Sequence, residues 1–251
     1  MLVNNLSQFT GWHFKQIVAI LISAIFLLWI YPKTNLDFDL IAPYFNVDNQ
    51  TFSLKHDIFL NQVMHIGLRN FVIVIALMTL FLAVFGNGFK FSALVRHQLS
   101  WAFVGMILST LAVSILKSQS MHACPWDLTQ YGGSSIYYPM LASLPSLPSD
   151  KVGGHCWPGG HASGGFALMA FFFAFRLTYP IFAVTSLVSS IMLGLVMGWA
   201  QMIRGAHFLS HSLWSAWVVW LVLVILSACC ALRKTNIQIK TDISIPPVNF
   251  Y

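Results

Sequence analysis

The feature that most restricts the fold of this chain is a series of long apolar stretches. Each stretch approaches the roughly 20 residues that an α-helix needs to cross a lipid bilayer. The six stretches lie at about 15–31, 70–87, 99–117, 161–177, 181–203 and 211–232. We therefore predict an all-α, polytopic membrane protein with six transmembrane helices in a bundle.

The composition agrees with a membrane protein and excludes several other classes. Only 8% of the 251 residues are charged and the mean hydropathy is +0.74, whereas soluble domains carry about 25% charged residues. A surface with so few charges has to face lipid. The net charge of +6 is small and scattered, so we predict contacts with membrane lipids, no nucleic-acid partner and no obligate protein partner.

The distribution of Lys and Arg predicts the orientation. Six spans place both termini on one side, and cytoplasmic loops usually hold the excess of basic residues. The side of the termini holds seven basic residues against six, or against four if Lys117 and Arg204 belong to a functional site. We predict cytoplasmic termini in an inner (cytoplasmic) cell membrane, with the opposite face towards the periplasm or exterior.

Two long segments then lie on the outer side, at 32–69 and 118–160. The first ends in an amphipathic run, 58–68, which we interpret as an interfacial helix lying on the membrane. His65 and Arg69 would form a solvated face of this helix, although Arg69 can alternatively lie at a headgroup. The second segment is rich in Gly, Pro and Ser.

The chain shows no internal repeat and no linker, so we predict a single domain over residues 1–251. Its core motifs occupy 117–215. We interpret Gly194-x3-Gly198, in the fifth stretch, as a helix-packing motif.

Three short clusters of unusual composition lie at the outer ends of the predicted spans. The first runs from Lys117 to Asp127 after the third span, the second covers 157–163 before the fourth, and the third covers 201–211 between the fifth and sixth. Because all three lie on one face of the membrane, a helix bundle can bring them together.

The clusters contain groups suited to binding an anion. Gly159 and Gly160 open a predicted helix, where backbone N–H groups and the helix dipole favour negative charge. Lys117 and Arg204 add full positive charges, and a guanidinium can bind phosphate through two donors. This combination indicates a phosphate site.

The clusters also contain three histidines with complementary positions. His207 and His211 are four residues apart, so on a helix they share a face and one ring can orient the other. His161 stands at the Gly-rich turn, where it can protonate a leaving group. A nucleophile, an acid and an anion site together favour phosphoryl transfer.

In order and spacing, the clusters resemble the motifs of the type 2 phosphatidic acid phosphatase superfamily. The family pattern is Lys-x6-Arg-Pro, then Pro-Ser-Gly-His, then Ser-Arg-x5-His-x3-Asp. The resemblance spans about residues 99–215. The matching residues are Lys117-x6-Cys124-Pro125, Pro158-Gly159-Gly160-His161 and Ala200-Gln201-x5-His207-x3-His211.

The resemblance implies a metal-independent phosphatase, without a cofactor, that acts on a phosphorylated lipid at the outer face. It implies His207 as the nucleophile that forms a phosphohistidine and His161 as the general acid. Lys117 and the turn at Gly159 and Gly160 would bind phosphate. His211 would support His207 as a third catalytic residue.

Four motif positions differ from the family pattern. They are Cys124 for Arg, Gly159 for Ser, Gln201 for Arg and His211 for Asp. Arg204 lies about one helical turn beyond Gln201 and can replace its missing charge. At the headgroup, Arg69 can alternatively replace the Arg that is missing at Cys124. The negative charge missing at position 211 can come from Asp57, Asp127 or Asp150, and the sequence does not choose among them.

The four cysteines divide by location. Cys124 and Cys156 both lie in the outer segment beside the first and second motifs, on the oxidising side, so we predict a disulfide between them. Cys229 and Cys230 lie in the last span and are expected to stay reduced.

Three other functions remain open. The same site can transfer phosphate to an acceptor lipid, or a protein with altered motifs can bind a phospholipid headgroup without turnover. Nine histidines can alternatively ligate haem or a metal. Because Lys117 and Arg204 repel a cation, we predict no metal.

Overall fold

The computed structural model describes residues 2–139 and 154–244, with the side chains of 11–139 and 154–231. The predicted Asp150 therefore lies outside the described residues. Within them the chain is mostly helical, as predicted, and its one small sheet pairs β1 (Phe45–Asn46) with β2 (Thr51–Phe52) in antiparallel orientation.

Eight α-helices make up most of the described chain. Short π-helical or 3₁₀ segments extend two of them: Phe26–Ile30 and Tyr31–Lys33 follow α1, and Phe59–Gly67 precedes α3. The α-helices are α1 (Leu2–Ile25), α2 (Leu36–Ile41), α3 (Leu68–Phe85), α4 (Ala93–Ser118), α5 (Gly160–Ala167), α6 (Ala170–Phe175), α7 (Pro180–Ile203) and α8 (Leu209–Ser244).

Five helical segments of the described chain are long and apolar enough to cross a membrane, which makes this a multi-pass membrane protein. They are Gly11–Lys33, Phe59–Phe89, Ala93–Ser118, Pro180–Ile203 and Leu209–Ala231.

The fourth predicted span, 161–177, corresponds to a shorter apolar segment, Gly160–Phe175. This segment is divided where the N–H groups of Leu168 and Met169 bond three residues back instead of four. The sixth crossing and the cytoplasmic termini stay predictions.

The amphipathic run 58–68 does not form a separate interfacial helix, contrary to the prediction. It is continuous with α3, and Asp57 Oδ1 accepts the Leu60 N–H at its start, at 2.8 Å. Leu60 is buried against Ala200 and Ile203 of α7. One side of the run therefore packs against α7, whereas Ile58, Phe59 and Val63 of the same run are exposed.

Helix α5 packs against α4, α7 and α8, and its contact with α7 depends on glycine. A β-carbon at Gly165 would meet the backbone of Gly194, and one at Gly194 would meet the Phe166 ring. A β-carbon at Gly198 would meet Ser212 of α8. The interpretation of Gly194-x3-Gly198 as a packing motif is confirmed.

A second, smaller core fixes the junction between α7 and α8. It joins residues of both long segments to the junction itself: Ile41, Phe52, Leu128, Tyr131, Met202 and Phe208. Gly205 turns the chain with φ +77°, and a β-carbon there would collide with Phe52. The segments 32–69 and 118–139 thus form a layer that holds this junction in place.

Candidate functional site

The three sequence clusters meet at one end of the helix bundle. Lys117 lies in the last turn of α4, His161 in the first turn of α5, and His207 between α7 and α8. A β-carbon built at Gly160 would lie 3.8 Å from Lys117 Nζ. His207 lies within electrostatic range of both Lys117 and His161. This arrangement agrees with the expectation that the three clusters come together.

The two histidines of the third cluster form a buried pair. His207 Nδ1 and His211 Nδ1 are 3.2 Å apart, and each residue is only 5% exposed. One ring therefore donates and the other accepts. Burial lowers the pKa of His207 well below its ordinary value, and His211 and Lys117 lower it further. His207 is consequently a neutral imidazole, the form that can act as a nucleophile.

The predicted disulfide between Cys124 and Cys156 is present, with Cα atoms 5.2 Å apart. It joins the segment after α4 to the segment before α5. Cys156 Sγ lies 3.3 Å from His207 Nδ1 and 3.0 Å from the Ala206 carbonyl oxygen. The bridge therefore packs directly behind His207. Cys229 and Cys230 are free, as predicted.

Removing the bridge should destabilise the protein. The bridge spans 32 residues, so a Cys124→Ser/Cys156→Ser variant should lose about 3–4 kcal/mol of unfolding free energy in the chain-entropy description. The measurement is urea unfolding of the purified protein in detergent. Cys229→Ser/Cys230→Ser is the matched control and should unfold like the wild type. Free maleimide labelling of Cys124 and Cys156 in oxidised membranes would contradict the pairing.

Cys156, His207 and His211 also lie close enough to suggest a metal site. Their potential ligand atoms are all within 4.8 Å of one another. The sulfur of Cys156 is committed to the disulfide, however, and cannot supply a thiolate. The two imidazoles that remain are fewer than the three or four protein ligands that zinc sites usually have.

The two glycines before α5 have different roles. The Gly159 N–H donates to the His211 carbonyl oxygen at 2.9 Å, and Ser215 Oγ donates to the Gly159 carbonyl oxygen at 2.8 Å. The Gly159 N–H is therefore engaged within the protein, contrary to its expected use as a phosphate donor. Gly160 begins the helix, where N–H groups have no partner in the preceding turn, and it faces Lys117.

Arg204 is buried and partly engaged by the protein. Its Nε and Nη2 donate to the Lys55 carbonyl oxygen at 3.3 and 3.2 Å, and Nη1 donates to Gln201 Oε1 at 3.3 Å. A guanidinium has five N–H donors, so two remain for a ligand. Arg204 lies within electrostatic range of His161, which places its charge at the edge of the site.

His65 belongs to this site, although the sequence indicated only a solvated face. Its ring lies 3.8 Å from that of His161, centroid to centroid. Arg69 lies within electrostatic range of both rings, like Lys117 and Arg204. The helical segment Phe59–Phe89 thus adds an imidazole and a guanidinium to the site. Arg69 lies near the position that its alternative reading gave it, beside the motif residues. No spacing signal links His65 to the motifs, so the sequence alone did not reveal His65.

The buried carboxylate at this end of the bundle is Asp37, which sequence reasoning did not propose. The Tyr31 hydroxyl and the Ser210 N–H both donate to its Oδ1, at 2.8 and 2.9 Å. Burial raises the pKa of Asp37, and the hydrogen bonds from Ser210 and Tyr31 oppose that shift. Asp37 therefore anchors the first turn of α8, the helix that carries His211.

Two of the acids that the sequence offered to replace the missing Asp have other partners. Asp57 Oδ1 accepts the Leu60 N–H near the start of the segment Phe59–Gly67, and its negative charge favours the charged form of Arg204. Asp127 Oδ2 accepts the indole N–H of Trp126 at 3.0 Å. Neither has a hydrogen bond to His207 or His211 among the described residues.

Comparison with known proteins covers the part of the chain that carries the motifs. A sequence model described as the PAP2 superfamily matches residues 98–234, more than half of the chain. No curated protein and no solved structure matches. Lys117, His161 and His207 lie within the matched residues, whereas Asp37 and His65 precede them.

Proposed function

The chain belongs to the PAP2 superfamily of membrane phosphatases, and we propose that it removes phosphate from a phosphorylated lipid at the outer face of the membrane. The observation that carries this proposal is the neutral His207–His211 pair beside Lys117 and His161. A nucleophile, a cation and a second imidazole at one point are what phosphoryl transfer requires.

In this mechanism His207 attacks phosphorus through Nε2. Its Nδ1–H donates to His211 Nδ1, which fixes the tautomer that leaves the Nε2 lone pair free. The Nε2–P bond forms and the P–O bond to the lipid breaks. Water then attacks the phosphohistidine, which releases phosphate and restores the imidazole. The two steps need no metal, because a phosphoramidate is labile.

His161 is the group that we assign to the departing oxygen. It starts a different helix from His207 and can approach from the side opposite the nucleophile, as an in-line displacement requires. Burial and the nearby His65 lower the pKa of His161, so His161 has to take up a proton when the anionic phosphate group binds beside it. That proton then goes to the lipid oxygen as the P–O bond breaks. His65, whose ring contacts that of His161 at an interplanar angle of 42°, restricts the orientation of the imidazole.

Positive charge and backbone donors stabilise the transferring phosphoryl group. Within the described residues Lys117 Nζ has no ion pair, and it faces the start of α5 at Gly160. Arg204 keeps two donors free. These groups are oriented before the substrate arrives, which is the condition under which charge stabilisation is most effective.

A lipid substrate fits the location of the site. The reactive groups lie at the ends of helices long enough to cross a membrane, where a phosphorylated headgroup would meet them. The acyl part can remain among the helices. The orientation that we propose places this end at the periplasmic or exterior face, with both termini cytoplasmic.

The experiment that tests the function is phosphate release by the purified protein from phosphatidate, a polyprenyl diphosphate and a lipid A phosphate. We expect release from at least one, unchanged by EDTA. Phosphate transferred to an added acceptor lipid, with little free phosphate, would indicate a phosphotransferase instead. Binding of all three lipids without turnover would contradict the proposal and favour a headgroup-binding protein.

A further inference from the structure

Asp37 occupies a position that its role in the fold does not fully explain. It is 6% exposed, and the groups that contact its carboxylate, the Tyr31 hydroxyl and the Ser210 N–H, are donors. Such a carboxylate accepts hydrogen bonds from its neighbours, and these bonds favour its charged form against the effect of burial. It lies beside the first turn of α8, where it accepts from Ser210, the residue directly before His211.

A small cavity connects Asp37 to His211. Its volume is about 40 Å³, and both residues line it. His122 and Trp157 line it as well, and His122 Nε2 and Trp157 Nε1 are buried polar atoms without a hydrogen-bond partner among the described residues. A cavity of this size has room for one or more water molecules, which usually satisfy such atoms.

The hydrogen-bond inventory of the histidine pair requires an acceptor beyond His211. If His207 donates through Nδ1, His211 accepts through Nδ1, and a neutral His211 then carries its own proton on Nε2. When His207 attacks phosphorus its ring becomes cationic. His211 alone, a neutral imidazole, is a weak partner for that cation, whereas a carboxylate behind it would stabilise the charge.

We propose that Asp37 supplies, through His211 and the cavity that both residues line, the negative charge that a carboxylate at position 211 would give directly to His207. Asp37 is then a positioning residue: it touches neither lipid nor phosphate, and it acts by orienting and polarising His211. This inference rests on the proposed function, because it concerns how the phosphohistidine forms.

The test compares Asp37→Asn and Asp37→Ser with Asp39→Asn in turnover of the best lipid substrate. Asn and Ser keep a helix-capping side chain and remove the charge, and Asp39 is an exposed acid on the same helix. We expect both Asp37 variants to lose kcat by about 10–100-fold, as carboxylates behind metal-bound histidines do, with KM nearly unchanged. Asp39→Asn should match the wild type.

A second-site change separates charge supply from helix capping. In an Asp37→Asn background, His211→Asp places a carboxylate directly beside His207, so kcat should recover by at least tenfold. Loss of kcat without recovery would overturn the inference, because it would show that Asp37 matters only for the fold. Equal activity of Asp37→Asn and Asp39→Asn would overturn it too. A wild-type protein that releases no phosphate would instead refute the proposed function.

Discussion

Replacing His207 with Ala should abolish phosphate release from the lipid substrate. His207 is the buried, neutral imidazole that His211 orients beside Lys117 and His161, and loss of a nucleophile costs roughly 10⁴–10⁶ in turnover. The measurement is phosphate release in detergent, together with an acid-labile phosphoryl label trapped from ³²P-labelled lipid. The label should map to His207 in the wild type and be missing in the variant.

A matched control for this result is His56→Ala, because His56 is exposed and lies outside the proposed machinery. Its turnover and labelling should equal those of the wild type. Near-normal turnover in His207→Ala would contradict the covalent mechanism, as would a label found on another residue.

Replacing His161 with Ala should slow the lipid reaction by about 10²–10⁴-fold, the usual contribution of general acid catalysis. The effect should depend on the leaving group. A lipid alkoxide needs a proton as it departs, whereas p-nitrophenolate does not. Turnover of p-nitrophenyl phosphate by His161→Ala should therefore remain within about tenfold of the wild type. The measurement is kcat for the two substrates in parallel.

The general acid is identified by comparing how far kcat falls in His161→Ala for the lipid and for p-nitrophenyl phosphate. His56→Ala should leave both rates unchanged. An equal loss for lipid and p-nitrophenyl phosphate in His161→Ala would mean that His161 binds phosphate or supports the fold, and the role of proton donor would have to be withdrawn.

Much of the helical architecture was predictable because apolar length is encoded locally. The stretch near 181–203 agrees closely with Pro180–Ile203. The run 58–68 was misread because an amphipathic pattern states only that one face is covered. It does not state whether lipid headgroups or, as here, Ala200 and Ile203 cover it.

The candidate site was predictable where spacing within one segment carries the signal. His207 and His211 form a pair as expected, although His207 lies in the turn before α8 and only His211 is on the helix. The motif order brought Lys117 and His161 into consideration. Asp37 was not predictable, since its bond to Ser210 spans 173 residues and follows no period. The contact between the rings of His65 and His161 was not predictable either, since no sequence period links the two positions.

The hydrogen bond from Arg204 to the carbonyl oxygen of Lys55 has a consequence for recombination between the genes of related proteins. The two residues lie 149 positions apart, on opposite sides of the start of the matched stretch at residue 98. A recombination that exchanged residues 1–97 between two relatives would keep every motif histidine but replace the segment that holds Arg204 and places His65 against His161. The two parts of the gene therefore have to diverge together. A hybrid of distant parents would inherit the catalytic residues without the packing that aligns them.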